Sequence, residues 1–298
     1  MNCTLCPRNC RATRTAPNPG FCGAGLTPRV FRYGPHFGEE PPVNGERGSG
    51  TVFFSHCTMR CCYCQNHPWS QSNRGEDMDV PRLSELFKTI AEQGCHNWNL
   101  VSPTPWLPQI RNALAPLVAS GINLPRVYNT SGYESVATLE EYAELADVAL
   151  CDLRYASNAT AAEASQAADY VEVSRAALAW FWNRLGVLQE DGEGIAKRGV
   201  IVRILILPGH ADEAEENLRW IAKHLGTDVH ISLMSQYTPA HFAASTPVWN
   251  RPISEDEYTR VADAMADLGF ENGWVQEYAP HRSTLLGEDM KPGHGSVV

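Results

Sequence analysis

The stretch Thr51-Val52-Phe53-Phe54-Ser55-His56-Cys57-Thr58-Met59-Arg60-Cys61-Cys62-Tyr63-Cys64 decides the fold and most of the chemistry of this chain. The apolar run Thr51–Ser55 predicts a buried strand, and a loop with C-x3-C-x2-C spacing follows it. A cubane iron–sulfur cluster normally takes four cysteines, so three ligands, Cys57, Cys61 and Cys64, leave one iron open to a substrate or cofactor. A structural zinc site is usually closed by four ligands, so three cysteines at this spacing favour an iron–sulfur cluster over a zinc knuckle.

Six short apolar runs, separated by helical stretches, indicate how the rest of the chain folds. The predicted strands are Thr51–Ser55, Trp98–Val101, Pro125–Tyr128, Val148–Asp152, Val200–Leu207 and Val229–Leu233. This alternation predicts an α/β fold with a parallel sheet and crossover helices. Such a sheet is either an open doubly wound sheet or a complete or partial barrel. Both place functional residues at the carboxyl ends of the strands.

Two of the predicted helices have clear signals in the sequence. The first carries one apolar stripe, formed by Leu83, Leu86, Phe87 and Ile90. The second is predicted to open with Asp212 and Glu215 at capping-box spacing and to end at Gly226.

Composition limits the class of protein. The 298 residues are 43% hydrophobic and 19% charged, which is typical of a soluble globular protein with one large domain and a small appendage. No apolar run approaches the ~20 residues that span a bilayer, so we expect no membrane partner. The first residues do not resemble an export signal, so we expect a cytoplasmic protein whose cysteines bind metal rather than form disulfides. The net charge of −10 argues against nucleic acid as a partner.

Residues 1–48 are predicted to form a cysteine-rich N-terminal module, followed by a barrel over 49–280 and a tail over 281–298. The module contains Cys3, Cys6, Cys10 and Cys22, whose spacing is compatible with a closed tetrahedral site. Structural zinc would supply folding energy to a segment that lacks an apolar core. An auxiliary iron–sulfur cluster and free or oxidised thiols are the alternatives, and spacing does not choose among them.

Gly48–Asn66, together with blocks at the later strand ends, resembles the radical S-adenosylmethionine (SAM) enzymes, and among them the activating enzymes of glycyl-radical enzymes, such as the pyruvate formate-lyase activating enzyme. The resemblance implies a partial (β/α)6 barrel and a 4Fe-4S cluster whose open iron is chelated by SAM. It implies reductive cleavage of SAM to a 5′-deoxyadenosyl radical that abstracts a hydrogen atom. Reduced flavodoxin or ferredoxin would donate the electron, and a glycyl-radical enzyme would be the protein substrate.

The resemblance also assigns roles within the cysteine loop and after the second strand. Cys62 occupies a variable position and is interpreted as a non-ligand. Tyr63 occupies the position near the adenine, with plain packing as the alternative. Ser102-Pro103-Thr104-Pro105 stands where these enzymes usually carry Gly-Gly-Glu-Pro, so Thr104 replaces the glutamate that holds the SAM amine. The hydroxyls of Ser102 and Thr104 are the remaining candidates for that contact.

The later strand ends supply four more candidates for binding SAM. Asn129 and Ser131 lie in Tyr128-Asn129-Thr130-Ser131-Gly132-Tyr133, which resembles the Asp-Thr-Asn-Gly segment of the activating enzymes. Asp152 matches the acidic residue of their Asp-Leu-Lys segment. Gln236 follows the sixth strand, where these enzymes hold adenine and ribose.

Arg203 is the fifth candidate. It lies in an apolar strand, where a charge needs a partner. The SAM carboxylate is one candidate partner for its guanidinium, and an ion pair with Asp152 is the alternative.

Several alternatives stay open at this point. His56 could tune the cluster loop or be an ordinary loop residue, and Glu39-Glu40-Pro41-Pro42 is expected to be an exposed acidic loop. The chain could be a radical SAM enzyme that modifies another peptide, a nucleoside or a small molecule. It could also be a non-catalytic iron–sulfur or zinc protein.

Overall fold

The computed structural model describes residues 2–15 and 18–279, so the predicted tail over 281–298 lies outside the described residues. Its strands, in chain order, are β1 (Arg29–His36), β2 (Ser49–Phe54), β3 (Glu76–Asp77), β4 (Trp98–Val101), β5 (Arg126–Thr130), β6 (Val148–Asp152), β7 (Gln189–Glu190), β8 (Ala196–Leu205), β9 (His230–Met234) and β10 (Gly273–Val275).

Nine α-helices occur within the described residues. They are α1 (Pro41–Asn44), α2 (His67–Ser70), α3 (Val80–Glu92), α4 (Leu107–Ala119), α5 (Val136–Glu141), α6 (Asn158–Ser165), α7 (Tyr170–Leu185), α8 (Ala211–His224) and α9 (Glu255–Asp267). Within the same residues, none of these helices combines the length and apolar character needed to cross a membrane.

The centre of the sheet is parallel and keeps the order of the chain. Strands β2, β4, β5, β6, β8, β9 and β10 are neighbours in that sequence, and each pairs in parallel with the next. A doubly wound sheet reverses its strand order at a switch point, and this sheet has no reversal. Right-handed crossovers then place the helices on one face, which is the arrangement of a partial barrel. The predicted α/β fold with six strand–helix units is confirmed.

The two faces of the parallel strands bury different residues. Leu100, Tyr128 and Cys151 pack in the large core between sheet and helices. On the opposite face, a second cluster contains Val127, Leu150 and Ile201. Val43 of α1 belongs to this second cluster, and its carbonyl accepts a hydrogen bond from the Asn97 side chain at 2.7 Å. The short helix α1 therefore plugs the inner face of the barrel.

The N-terminal segment is joined to the sheet through β1. This strand pairs antiparallel with β2, with Val30 opposite Phe54 and His36 opposite Ser49. The domain boundary predicted after residue 48 thus falls between two paired strands. β1 was not predicted because its residues are interrupted by glycine and proline and lack an extended apolar run. β10, with three residues, is too short to give a periodic signal.

The helix signals had mixed outcomes. The stripe of α3 is confirmed, because Leu83, Phe87 and Ile90 are fully buried. The predicted capping box of α8 is wrong, because the helix begins after His210 without a side-chain cap. Asp212 instead lies in the first turn, where its charge favours the helix dipole. A complete capping box occurs at the start of α9, between Ser254 and Glu257.

Candidate functional site

A cavity of about 200 Å³ opens at the carboxyl ends of the parallel strands. Ten of the predicted site residues line it: Cys57, Cys61, Tyr63, Cys64, Ser102, Asn129, Ser131, Asp152, Arg203 and Gln236. They come from six loops or strands, and the sheet brings them together because parallel strands end at the same edge. We call the loop 57–64 and the strand-end residues Ser102, Ser131, Asp152 and Arg154 the rim of the cavity.

The three predicted ligands are each held near a hydrogen-bond donor. The Sγ atom of Cys61 accepts from the Arg154 guanidinium at 3.1 Å, and that of Cys57 accepts from the Met59 amide at 3.5 Å. The Cys64 Sγ atom lies 3.3 Å from the Ser70 hydroxyl. Hydrogen bonds to sulfur stabilise thiolates and tune the potential of an iron–sulfur cluster. The surroundings of these sulfurs therefore suit metal-bound thiolates.

The electrostatics of this loop argue that bare thiolates would not persist there. Burial raises the pKa of Cys57 to about 12, and the neighbouring Cys61 adds to the rise. A buried thiol with such a pKa stays protonated near neutrality, whereas a coordinating metal removes the proton outright. The surroundings therefore disfavour a free thiolate at Cys57, and a bound metal centre would supply the positive charge that holds it deprotonated.

The three cysteines of the loop are not arranged around a single metal ion. Among residues 2–15 and 18–279, no three histidine, cysteine or acidic side chains are gathered as around one ion. In a cubane cluster the cysteines bind different irons, so the sulfurs surround the cluster instead of one point. Three soft sulfur ligands on one wall of a cavity, Cys57, Cys61 and Cys64, fit such a cluster in number and in chemistry.

Cys62 is turned to a different environment. Its amide donates to the Ala164 carbonyl at 2.7 Å, and its carbonyl accepts from the Ala243 amide at 2.9 Å. Its side chain is half-buried and is absent from the residues that line the cavity. These two backbone bonds fix the orientation of the loop between its flanking cysteines.

Tyr63 lines the cavity and is packed tightly as well. Its ring stacks on Trp249 with a centroid distance of 5.7 Å, and its hydroxyl lies 2.5 Å from that of Tyr155. Burial raises its pKa well above the usual range. Tyr63 therefore forms a rigid aromatic wall that one face of a planar ligand could contact.

Thr104 does not reach the cavity. It is buried, and its hydroxyl donates to the carboxyl of Glu134 at 2.7 Å. Glu134 also accepts from the Thr130 hydroxyl at 2.5 Å, and burial raises its pKa to about 7. The hydroxyl proposed from the sequence as a contact for the SAM amine is thus occupied inside the protein. Ser102, which has a left-handed φ of 56°, remains at the rim.

Arg154 is the partner of Asp152. Its guanidinium donates to the Asp152 carboxylate at 2.5 and 3.1 Å and reaches Cys61 from the same position. Burial alone would lower the pKa of Arg154, but Asp152 and Cys61 hold it well above its usual range. The alternative prediction of an ion pair between Asp152 and Arg203 is wrong, because Arg154 occupies that carboxylate.

Arg203 instead pairs with two carboxylates from the N-terminal segment. It donates to Glu40 at 2.5 and 2.7 Å and also to Glu39. The expectation that Glu39 and Glu40 form an exposed acidic loop is wrong, because their side chains are 7% and 6% exposed. Burial would raise the pKa of Glu40, yet the Arg203 guanidinium holds it below its usual range. Asn99 donates to Glu39 at 2.8 Å. We call Glu39 and Arg203, which line the cavity, together with their buried partners Glu40 and Asn99, the floor of the cavity.

Because of these pairings, the Arg203 guanidinium has little capacity left to bind a ligand. Its Nε and Nη2 atoms are engaged by the two carboxylates, and its Nη1 atom lies 3.4 Å from Asn129 Oδ1. The guanidinium is therefore committed to the protein, in contrast to the sequence interpretation of Arg203 as the partner of a ligand carboxylate. Arg154, which ion-pairs through one edge and contacts a cysteine, is the rim cation that sequence reasoning missed.

Four important residues were missed or misjudged from the sequence, for different reasons. Arg154 carried a usable signal, because it lies two residues beyond Asp152 and so on the same side of the strand end. Glu39 and Glu40 are polar residues in a segment without periodicity, and Glu134 follows a turn. Glu39 and Glu40 are buried against Arg203, which is remote in the chain, and Glu134 is buried against the hydroxyls of Thr104 and Thr130.

One of the N-terminal cysteines, Cys22, contacts the residue that precedes the cysteine loop. Cys22 accepts a hydrogen bond at its carbonyl from His56, which precedes Cys57, with an N–O distance of 3.0 Å. Burial raises the pKa of Cys6 to about 12, and the nearby Cys22 and Cys3 add to it. These thiols are therefore electrostatic neighbours, although the described residues contain no group gathered around a single ion.

Comparison with known proteins gives distant similarities. No protein-family model matches the chain. The chain is similar to the uncharacterized protein MJ0674 of Methanocaldococcus jannaschii, with 28% identity over 273 residues that cover 88% of this chain and 73% of that protein. It is also similar to the solved structure of native anSMEcpe with bound AdoMet, with 9% identity, a TM-score of 0.47 and 72% of this chain covered. The chain spans 58% of that solved chain's length.

Proposed function

We propose that this chain is a radical SAM enzyme. The observation that carries the proposal is the placement of Cys57, Cys61 and Cys64 on one wall of a cavity at the carboxyl ends of parallel strands. Cysteines at C-x3-C-x2-C spacing supply one ligand fewer than a cubane cluster normally takes, so a cofactor can bind the open iron. The buried hydrogen-bond donors beside the three sulfurs support the same assignment.

When bound, a 4Fe-4S cluster would supply the electron that splits SAM into methionine and a 5′-deoxyadenosyl radical, and this radical would become 5′-deoxyadenosine by taking a hydrogen atom from a substrate. The protein's own contribution is to bind, orient and shield. Arg154, which is ion-paired with Asp152, donates to the sulfur of Cys61 and would stabilise it as a cluster-bound thiolate. Ser102, Ser131 and Gln236 offer hydrogen bonds from three further strand ends. Tyr63 and the apolar cavity walls exclude water from the reacting groups.

The substrate that we favour is a glycyl-radical-type partner protein. The support is the sequence resemblance of the strand-end segments around Asn129 and Asp152 to activating enzymes, and no distance or contact adds to it. Another peptide, a nucleoside or a small molecule is the alternative substrate class. Reduced flavodoxin or ferredoxin is the proposed electron donor, and dithionite can replace it in the test.

Anaerobic reconstitution tests the proposal directly. The chain is loaded with iron and sulfide, reduced with dithionite and supplied with SAM. We expect an absorption band and an EPR signal of a reduced cluster, followed by 5′-deoxyadenosine and methionine in the product mixture. A loaded cluster that yields no 5′-deoxyadenosine would sink the enzymatic assignment and favour the rival interpretation, a non-catalytic iron–sulfur protein.

We also propose that Cys3, Cys6, Cys10 and Cys22 bind a second metal centre, either zinc or an auxiliary cluster. The support is the electrostatic proximity of Cys6, Cys3 and Cys22 and the contact of the Cys22 carbonyl with His56, which precedes Cys57. A variant with Ala at positions 57, 61 and 64 isolates this site. Metal analysis and EPR of that variant should find one zinc or one cluster. Metal-free protein with an intact fold would contradict the proposal.

A further inference from the structure

We propose that the N-terminal segment 3–22 is a clamp on the cysteine loop 57–64, with Arg8 and Phe21 as its positioning residues. Metal bound by the N-terminal cysteines would then stabilise the loop that carries the three predicted cluster ligands. This rests on the second metal centre proposed above. It gives that centre a task in the proposed reaction, because the loop has to hold its cluster while SAM binds and leaves.

Arg8 connects three separate parts of the chain. Its Nε atom donates to the carbonyl of Thr58 at 3.0 Å, and its Nη atoms donate to the carbonyls of Ser165 and Gln166 at the end of α6. The last carbonyls of a helix have no partner within the helix, and a cation at that end is favoured by the helix dipole. Thr58 is buried and directly follows Cys57, so the same guanidinium reaches the backbone of the ligand loop. Arg8 therefore fixes the N-terminal segment, the loop and α6 against one another.

The ring of Phe21 contacts guanidinium groups of both segments. The Cζ atom of Arg8 lies 3.9 Å from the ring centroid, and that of Arg60 lies 5.0 Å from it, which is the range of a cation–π interaction. The carbonyl of Phe21 also accepts from the Arg60 side chain at 2.7 Å. Phe21 directly precedes Cys22. Because Arg60 directly precedes Cys61, this contact joins chain neighbours of the two sets of cysteines.

His56 supplies a third contact between the segments. Its Nδ1 atom donates to the Cys22 carbonyl at 3.0 Å, and its ring packs edge-on against Trp106 with a centroid distance of 5.8 Å. His56 has a left-handed φ of 71°, which a residue other than glycine keeps only where its surroundings hold it. The residue directly before Cys57 is thus held in an uncommon conformation by contacts that include the N-terminal segment.

The N-terminal segment has little structure of its own to keep these contacts in place. Its described residues, 3–15 and 18–22, form no helix or strand, and Ala12 is the one buried side chain among them. Metal binding supplies folding free energy to such a segment. Filling the four-cysteine site therefore favours the conformation in which Arg8 and Phe21 contact the loop. By linkage, a filled loop favours metal at the N-terminal site to the same degree.

The test uses the full chain with Cys57→Ala, Cys61→Ala and Cys64→Ala, in which the loop itself cannot hold a cluster. Hydrogen–deuterium exchange of the loop amides is measured before and after the N-terminal site is filled with Zn²⁺ or, in a second preparation, with iron and sulfide. Arg8→Met is added to break the clamp, and Arg11→Met is the control. Arg11 is exposed and lies in the same segment, and among the described residues its side chain donates no hydrogen bond.

We expect the filled site to slow exchange of the loop amides about tenfold, which is an ordinary coupling between two sites. Arg11→Met should keep this slowing and Arg8→Met should lose most of it, because a charge-assisted bond to the loop backbone is gone. Arg8→Lys should recover part of it, since an ammonium still donates to a carbonyl but lacks the planar fork. The inference is overturned if the filled site leaves loop exchange unchanged, or if Arg8→Met and Arg11→Met behave alike. Thermal unfolding checks the fold, and Phe21→Leu replaces Arg8→Met if that variant does not fold.

The chain with all its cysteines gives the readout at the first centre. After reconstitution, the EPR signal that changes on addition of SAM should decay several-fold faster under a chelator in Arg8→Met than in Arg11→Met, and equal decay would contradict the clamp. Neither measurement needs SAM cleavage. Protein that keeps the coupling but forms no 5′-deoxyadenosine therefore contradicts the radical SAM assignment alone. Protein that binds no metal after the three loop substitutions contradicts the second centre and the clamp together.

Discussion

The rim and the floor of the cavity are both rich in charged and polar residues, but they are built in opposite ways. Rim residues each follow the strand or loop that positions them, and Arg154 turns part of its charge toward Cys61. In the floor, Arg203 and Glu40 are 163 residues apart in the chain, and the Arg203 guanidinium is ion-paired with both Glu39 and Glu40. Both arginines are paired, and the difference lies in the partner: Arg154 bonds Asp152 and a predicted cluster ligand, whereas Arg203 bonds two carboxylates remote in the chain.

The largest effect is expected at the rim, from Cys61→Ala. Removing one of three thiolates should abolish cluster binding and 5′-deoxyadenosine formation, because a cubane cluster cannot be held by two cysteines beside an exchangeable cofactor. The measurement is iron content, EPR and product analysis after reconstitution. Cys62→Ala is the matched control and should retain both, since Cys62 does not line the cavity. Turnover in Cys61→Ala would reverse the assignment of these two neighbours.

The next largest effect should come from the floor, through Arg203→Met. The variant leaves Glu39 and Glu40 buried without their guanidinium, which costs about 3–5 kcal/mol of the free energy of unfolding. Chemical denaturation measures the loss. Adding Glu40→Gln to Arg203→Met should recover part of it, because one of the stranded charges is removed. If Arg203→Met is as stable as the wild type and loses only SAM affinity, Arg203 is a ligand contact and the contrast between rim and floor fails.

A third prediction concerns Glu134, which is buried behind the rim and bonded to hydroxyls instead of a cation. Its pKa is raised from the ordinary 4.5 to about 7, so the folded state binds its proton more tightly than the unfolded state. Its contribution to stability is therefore full below about pH 4.5 and is lost as pH rises through about 7, by at most about 3 kcal/mol. Glu134→Gln should remove this part of the pH dependence. Denaturation at pH 5 and pH 8 measures the difference.

The control for that experiment is Glu141→Gln, an exposed position in α5. It should keep the wild-type difference between the two pH values. Identical pH profiles for the wild type and Glu134→Gln would contradict a raised pKa for Glu134.

The smallest effect is expected from Ser70→Ala, at the end of α2 beside the rim. The change removes the hydroxyl that lies 3.3 Å from Cys64 Sγ. One hydrogen bond contributes about 1 kcal/mol, so the cluster should still bind and the rate of 5′-deoxyadenosine formation should fall only a few-fold. The rate and the reduction potential measured on the same sample check this. Complete loss of the cluster would mean that Ser70 holds the loop instead of tuning one sulfur.

Sequence reasoning predicted the rim far better than the floor. Strand periodicity gave all six of the predicted parallel strands, and each strand end then located a candidate such as Ser131 or Asp152. Thr104 was misjudged because its position in the chain suggested the cavity, while its hydroxyl turns to Glu134. Glu39 and Glu40 carried no pattern that distinguishes a buried acid from an exposed one. Burial of a charge depends on a partner, and the partner was remote in sequence.

The sequence by itself determined the spacing of Cys57, Cys61 and Cys64, the strand–helix alternation and the edge of the sheet at which the site lies. These are local properties, because residue spacing and apolar periodicity act over one loop or one element. Tertiary structure alone decided that α1 plugs the barrel, that Arg154 and not Arg203 faces the cysteines, and that Glu39 becomes the acidic floor. Those outcomes depend on which charges meet across the folded chain, and a buried charge is tolerated only where the fold supplies its partner.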